Sequence, residues 1–283
     1  MADPELPLPT SRPWRPSALI VASALLHLAA IAVVTLRPHS WPWVLGILII
    51  DHLLLTAAGL WPRSRLLGPN WTRLPGMGAS PAAASVAITI DDGPDPIVTP
   101  RVLDVLDHYG ARATFFCVGE RVRQHAALAR EIRARGHIIE NHSQHHLHRF
   151  SILGPRAMAA EIVAAQTTIA AVVGEVPRFF RAPAGLRNPF LEPVLARLGL
   201  QLASWTRRGF DTVNTDPDII LRRLTRGLRA GDILLLHDGH AARTAQGEPV
   251  ILAVLPRLLQ QLAGAGLRTI ALRGAMPSSV PPP

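Results

Sequence analysis

Apolar positions along the chain fall into two regimes. Across residues 18–36 they are nearly continuous, broken only by Ser23, His27 and Thr35, with Trp14 and Arg15 ahead of the run and Arg37-Pro38 closing it. That length suffices to cross the hydrocarbon core, which takes about 20 residues of helix. A second run, 43–60, begins after Trp41-Pro42 and ends at Trp61-Pro62, but Asp51 and His52 lie in its middle. A central Asp costs about 2.5–3.5 kcal/mol on insertion scales. The two runs are therefore expected to enter a membrane as a hairpin, joined through 37–42, with Asp51 turned toward the partner helix. The first run is longer than a signal-peptide core and no small-x-small cleavage site follows it, which favours retained anchors over a cleaved leader. Neither run shows the polar face of a helix at the surface of a soluble domain.

After residue 62 the pattern changes. Residues 63–84 carry Pro69, Pro75, Gly76, Gly78 and Pro81 and read as a linker. Beyond it, short apolar runs at 86–90, 113–118, 138–139, 178–180, 201–205, 233–236 and 267–270 alternate with helical periodicity at 98–109, 121–135, 156–173, 189–198, 216–229 and 250–263. Strand, helix, strand at this spacing predicts an α/β fold with a parallel sheet and helical crossovers. Seven strands in so short a stretch predict a closed or nearly closed barrel. The expected organisation is a tail over 1–17, a transmembrane hairpin over 18–62, the linker over 63–84, a catalytic domain over 85–275 and a disordered, proline-rich end over 276–283. No glycine-rich phosphate loop follows a strand, so nucleotide binding has no support.

Charge narrows the partners. The formal net charge is +9, and all 29 basic residues are arginine. They are spread along the chain rather than clustered, which argues against a nucleic-acid groove and suits an anionic membrane surface or an acidic glycan. Arg12, Arg15, Arg63, Arg65 and Arg73 flank the open end of the hairpin, against Arg37 in its turn. The positive-inside rule then puts the catalytic domain on the cytoplasmic side of a bacterial inner membrane, with the periplasmic side as the alternative. Nothing in the pattern calls for an obligate protein partner. The lone cysteine, Cys117, sits in an apolar strand and is expected to pack in the core.

The chemistry gathers where strands end, which in barrels of this kind is where active sites form. Asp91-Asp92 follow the first strand, Asn141-His142 the third, Arg181 the fourth, Asp211 lies just past the fifth, and His237-Asp238 close the sixth. Adjacent strand carboxylates point to opposite faces unless the chain turns, and Gly93-Pro94 supplies a turn. Held side by side, the two favour a shared proton or a cation on one of them. His142 and His146 are four apart and share a face on a helical turn; His145, three from His142, competes on spacing alone. Two imidazoles and one carboxylate form a common catalytic zinc set, with room for water and a substrate oxygen. The other aspartate is left to take the water's proton, and His237 is the strand-end histidine best placed to protonate a leaving amine.

These segments, in this order over about residues 84–275, resemble the NodB-homology polysaccharide deacetylases of carbohydrate esterase family 4. The resemblance implies a distorted (β/α)7-like barrel. Thr89-Ile90-Asp91-Asp92-Gly93-Pro94 is similar to the family's first motif, which implies Asp91 as base and Asp92 as metal ligand. His142-Ser143-Gln144-His145-His146 is similar to the second, implying His142 and His146 as ligands. Arg181-Ala182-Pro183-Ala184-Gly185 is similar to the third: its arginine pairs with the base, and Ala184 stands where the family often has tyrosine and offers a backbone N–H to the oxyanion hole. Asp211, in the segment opened by Trp205, matches the fourth motif's acid that tunes the catalytic histidine, although its surroundings depart from the family pattern. Leu235-Leu236-His237-Asp238 is similar to the fifth, implying His237 as acid and Leu235 as the wall of an acetyl-methyl pocket. Leu235, Ala184 and Trp205 are the expected substrate contacts.

The expected activity is metal-dependent hydrolysis of an N-linked or O-linked acetyl group on a carbohydrate or a lipid-linked amino sugar, with Zn2+ as the ion and Co2+ or Ni2+ as substitutes. Two alternatives use the same scaffold. One is a deformylase of a lipid-linked amino sugar, or an amidase of a non-sugar amide, using the same metal site. The other is a silent glycan-binding module, which would have no need of a paired acid and base.

Overall fold

The computed structural model describes residues 10–76 and 84–276. Much of the expected 1–17 tail, residues 77–83 of the expected linker and residues 277–283 of the expected C-terminal end lie outside the described residues.

Two apolar helices, α1 (Ala18–Leu36) and α2 (Trp41–Leu60), pack on one another across a short 3-10 turn, Pro38–Ser40. Both are long and apolar enough to cross a membrane, and they leave Leu25, Leu28, Ile31, Leu53 and Leu54 exposed. Asp51 is buried between them, where it accepts a hydrogen bond from Ser23 Oγ at 2.7 Å. The polar residue in the second run thus faces its partner helix, so both helices can present apolar side chains outward.

The remaining elements are β1 (Ser85–Asp91), α3 (Val98–His108), β2 (Ala113–Cys117), α4 (Gly119–Gln124), α5 (Ala126–Ala134), β3 (Ile138–Asn141), α6 (Pro155–Val173), β4 (Phe179–Phe180), α7 (Leu191–Arg197), β5 (Gln201–Leu202), β6 (Arg207–Arg208), α8 (Pro217–Thr225), β7 (Ile233–His237), α9 (Val250–Gly264) and β8 (Arg268–Thr269). The strands form one curled sheet in the order β5-β4-β3-β2-β1-β7-β6, with β8 added to β1, and the strand pairs are parallel.

Strand alternation decides which side chains serve the core and which the site. On β1, Val86, Ile88 and Ile90 pack outward into the helical layer with Phe115, Leu234, Leu236 and the buried faces of α3 and α9. Each such buried aliphatic or aromatic side chain is worth about 1.5–3 kcal/mol. The other face of the sheet holds Ala87, Phe116, Phe179, Trp205, Ile233 and Leu235. Asp91 and His237 continue that inner row at the strand ends. Cys117 belongs to the outer core, and burial pushes its thiol well above the usual range.

The structure departs from the expected pattern in four places. Residues 121–135 form not one helix but α4 and α5, divided at His125. The strand read over 201–205 is regular only at Gln201–Leu202, and an unanticipated strand, β6, follows at Arg207–Arg208. The barrel is open, since β5 and β6 end the sheet without pairing to each other among the described residues. That opening explains the fourth difference. Within the stretch read as a linker, Ser64, Leu67, Asn70 and Leu74 are buried. Trp71 bridges to Ala203 and Arg73 to Asp232. The segment fills the gap with main-chain hydrogen bonds, Trp71 N–H to Leu202 O and Ser204 N–H to Trp71 O, both at 2.9 Å, which meets the demand that buried backbone groups be paired.

Candidate active site

The cluster begins where β1 runs out. Asp91 is the last residue of the strand and Asp92 turns away from it at φ 75°, which is how neighbouring carboxylates come to one side of a sheet. Gly93 at this turn has no room for a side chain, since an added Cβ would strike the Asp238 carboxylate. A loop after β3 brings His142 and His146 to Asp92, with Ser143 and His146 also at positive φ and the His146 N–H held by Ser143 Oγ at 3.0 Å. Asp92, Ser143, His146, Ala184 and His240 are all non-glycine residues at positive φ around this site. Such backbone strain persists only where the surroundings over-determine it, and it gathers at functional sites.

Asp92 Oδ1 lies 3.2 Å from Nε2 of His142 and 3.2 Å from Nε2 of His146. The three donor atoms lie within 4.8 Å of one another. His142 Nδ1–H donates to the Arg181 carbonyl at 2.8 Å, which leaves the Nε2 lone pair for a ligand. One carboxylate and two imidazole nitrogens so oriented fit a divalent cation of the zinc type. Burial opposes the charge on Asp92, but hydrogen bonds with His142, His146 and His240 outweigh it and hold its carboxyl well below the usual range. His145, the competitor on spacing, is turned away: its Nδ1 lies 2.8 Å from Glu161 Oε1 and the side chain is half exposed.

Asp91 has a different partner. Arg181, just past β4, is wholly buried and donates from Nη1 to Asp91 Oδ1 at 2.6 Å and to Thr89 Oγ1 at 2.9 Å. Its remaining donors reach the Ala203 and Ser204 carbonyls, and the guanidinium lies 4.0 Å from the Phe116 ring centroid. Burial lowers its pKa from the usual arginine value, against the pull of Asp91. On the other side, His237 ends β7 and is the register neighbour of Asp91. Its Nδ1 lies 2.9 Å from Asp211 Oδ1.

Residues 78–203 match the profile of the polysaccharide deacetylase family. A peptidoglycan-N-acetylglucosamine deacetylase from Bacillus cereus is 34% identical over 189 residues, covering 66% of this chain and 85% of the relative. The chain belongs to the polysaccharide deacetylase family. A chitooligosaccharide deacetylase from Sinorhizobium fredii is 35% identical over 158 residues, 56% of this chain and 73% of that one. Among solved structures, the family 4 carbohydrate esterase from Streptomyces lividans in complex with acetate aligns with a TM-score of 0.59 and 35% identity, over 66% of this chain and 91% of that one.

In this polysaccharide deacetylase the cluster lies in a cavity of about 630 Å³ whose lining includes Asp91, Asp92, His142, His146 and His237 together with Ala184, Trp205 and Leu235. Arg181 and Asp211 are buried outside the lining and reach it only through Asp91 and His237. Around the cluster stand further residues to which the sequence pattern assigned no role. His240 Nδ1 is 3.4 Å from Asp92 Oδ2, and Arg121 Nη2 approaches His240 Nε2 at 3.1 Å. Asp238 is buried and not part of the cavity lining, accepts a hydrogen bond from Thr99 Oγ1 at 2.5 Å, and is pushed up to about 7, chiefly by burial. His240 follows His237-Asp238-Gly239, so proximity in sequence to the fifth motif was its only signal.

Proposed function

We propose that this chain is a membrane-anchored, metal-dependent hydrolase that removes the acetyl group from the nitrogen of an amino sugar. The observation that supports this most is the convergence in one cavity of a three-donor cation cradle, Asp91 with its buried arginine, and His237 with its buried aspartate. The relatives named for action on peptidoglycan N-acetylglucosamine and chitooligosaccharides support an N-acetylglucosamine unit as the substrate.

Asp92, His142 and His146 would hold the cation, with zinc favoured by the donor set. Such an ion, when bound, supplies Lewis-acid polarisation of the acyl carbonyl and makes water a stronger acid. Asp91 takes the proton from the attacking water, and Arg181 keeps that carboxylate aimed and compensated through the 2.6 Å contact. The backbone N–H of Ala184 serves as an oxyanion donor, a role that needs no side chain and so tolerates alanine. His237 delivers a proton to the departing amine, oriented by Asp211. Leu235 and Trp205 line the cavity, where they suit the acetyl methyl and the sugar face respectively. A paired acid and base on either flank of a cation site has no use in a silent binding module.

The two N-terminal helices are taken to cross the membrane as a hairpin, with the arginines at its open end holding the catalytic domain on the cytoplasmic side. A C-terminal phosphatase fusion tests the topology, since strong reporter activity outside the cytoplasm would place the domain in the periplasm. Acetate release from N-acetylglucosamine oligomers by the full chain, with loss on chelation and recovery on adding Zn2+, tests the reaction. Absence of acetate release with metal loaded would overturn the proposal.

A further inference from the structure

A second cavity, of about 530 Å³, adjoins the first and shares Trp205 and Arg208 with it. Its lining includes Arg63, Arg207, Arg208, Arg223 and Arg226 and contains no acidic residue. Arg207 is committed to Asp232 at 2.6 Å and to the carbonyls of Arg226 and Gly227. Among the described residues the other four have no carboxylate partner in contact. Arg208 is stacked against the Trp205 and Phe210 rings, and its buried Nε has no hydrogen-bond partner. Arg223 also lies over the Phe210 ring, 5.2 Å from its centroid. Like charges gathered this closely repel unless an anion joins them, and guanidinium forks match phosphate oxygens in pairs.

The position of this cavity identifies which anion. Trp61, which caps the C-terminus of α2, and Pro62 form its remaining wall. At the same end of the hairpin Trp14 and Trp61 are exposed, while Trp41 and Trp43 are exposed at the turn. With the two helices read as crossing a bilayer, tryptophans at both ends mark its two interfaces, and the arginines then stand at the level of lipid phosphates. In a 2-acetamido sugar the acetylated nitrogen is on the carbon next to the anomeric one. A phosphate on the anomeric oxygen therefore sits beside the acetyl group, as this cavity sits beside the cation cradle. A neutral oligosaccharide offers these guanidiniums oxygen acceptors but no counter-charge.

We infer that the arginine-lined cavity binds the phosphate or diphosphate of a lipid-linked N-acetyl amino sugar and thereby presents that sugar, rather than a neutral glycan, to the deacetylase cavity. The inference rests on the N-deacetylase reading above and names its substrate class.

The test uses the full chain in neutral-lipid nanodiscs with two probes, a short-chain prenyl-diphosphate N-acetylglucosamine and tri-N-acetylchitotriose. Binding is followed by tryptophan fluorescence and turnover by acetate release, for the natural protein and for the combined variant Arg63→Gln, Arg223→Gln, Arg226→Gln. The diphosphate probe is expected to bind at least about tenfold more tightly than the trisaccharide, and the variant to lose at least about tenfold of that preference. In turnover the loss should fall on KM rather than kcat. Equal affinity for the two probes, or a preference that survives in the variant, would overturn the inference. If vesicles of phosphatidylglycerol bind the natural protein better than the variant while the diphosphate probe does not, the arginines dock lipid headgroups and the substrate assignment fails. Because binding is read without turnover, an inactive protein that still prefers the diphosphate would refute the deacetylase reading and leave the pocket assignment standing.

Discussion

Asp211 accepts two hydrogen bonds from His237, one from the backbone N–H at 2.7 Å and one from ring Nδ1 at 2.9 Å, through separate carboxylate oxygens. Asp211 is wholly buried, so one side chain sets both the position of the strand end and the face of the imidazole that lies against the cavity. On the proposed reading Nε2 is left for the substrate.

That contact sets a pH limit. Burial alone would lower the pKa of His237, but the charge and hydrogen bond of Asp211, helped by Asp91 and Asp92, push it up to about 9. A proton donor is competent below its pKa, so kcat/KM is expected to fall as pH rises through that region. Asp211→Asn removes the charge and should move this alkaline limb to lower pH while reducing kcat roughly 100-fold. A pH–rate profile of the two proteins decides, and an unmoved limb would exclude the assigned role of Asp211.

The two adjacent aspartates should separate in their effects. Asp92→Ala or His146→Ala is expected to lose bound metal and activity together, because each removes a donor of the cradle. Asp91→Asn should retain the metal yet lose turnover by at least about 100-fold. Metal content by atomic emission beside acetate release separates the cases; normal turnover in Asp91→Asn would end the assignment of the base.

Arg181→Met should cost stability as well as activity. It strips the buried Asp91 of its counter-charge and leaves the Ala203 and Ser204 carbonyls without their donors. Breaking one side of a buried pair typically costs about 3–5 kcal/mol. Denaturant unfolding of the detergent-solubilised protein should show that loss, and Asp91→Asn should recover part of it in the double variant.

His137 gives the fold an acid sensitivity remote from the site. It is buried against the Phe115 ring, accepts the Ala113 N–H at 3.3 Å, and its pKa is lowered from 6.5 to about 4, mainly by burial. Its folded pKa lies below the unfolded value, so its contribution is complete above pH 6.5 and is lost as pH falls toward about 4. The full swing is roughly 3 kcal/mol. His137→Asn should flatten the acid side of a melting-temperature profile between these limits, and an unchanged profile would assign the acid sensitivity elsewhere.

What could be read from the amino-acid order alone was whatever depends on local periodicity and on strand ends. The two long apolar runs, the alternation of strand and helix, and the positions of Asp91, Asp92, His142, Arg181 and His237 after apolar strands all follow from rules that act over a few residues. Spacing could not choose between His145 and His146, because it says nothing of what lies opposite; Glu161 and Asp92, distant in sequence, separated them. Nor did composition show that residues 64–74 close the open side of the sheet, since a proline- and glycine-bearing stretch looks the same whether it dangles or fills a gap. The second cavity belongs to this class too. Arg63, Arg208, Arg223 and Arg226 are scattered along a chain whose basic residues are evenly spread; packing of α8 on β6 and the reach of Arg63, just past α2, to the Thr206 carbonyl gather them into one place. Charge acts through space rather than along the chain, so the cluster came into being with the tertiary structure.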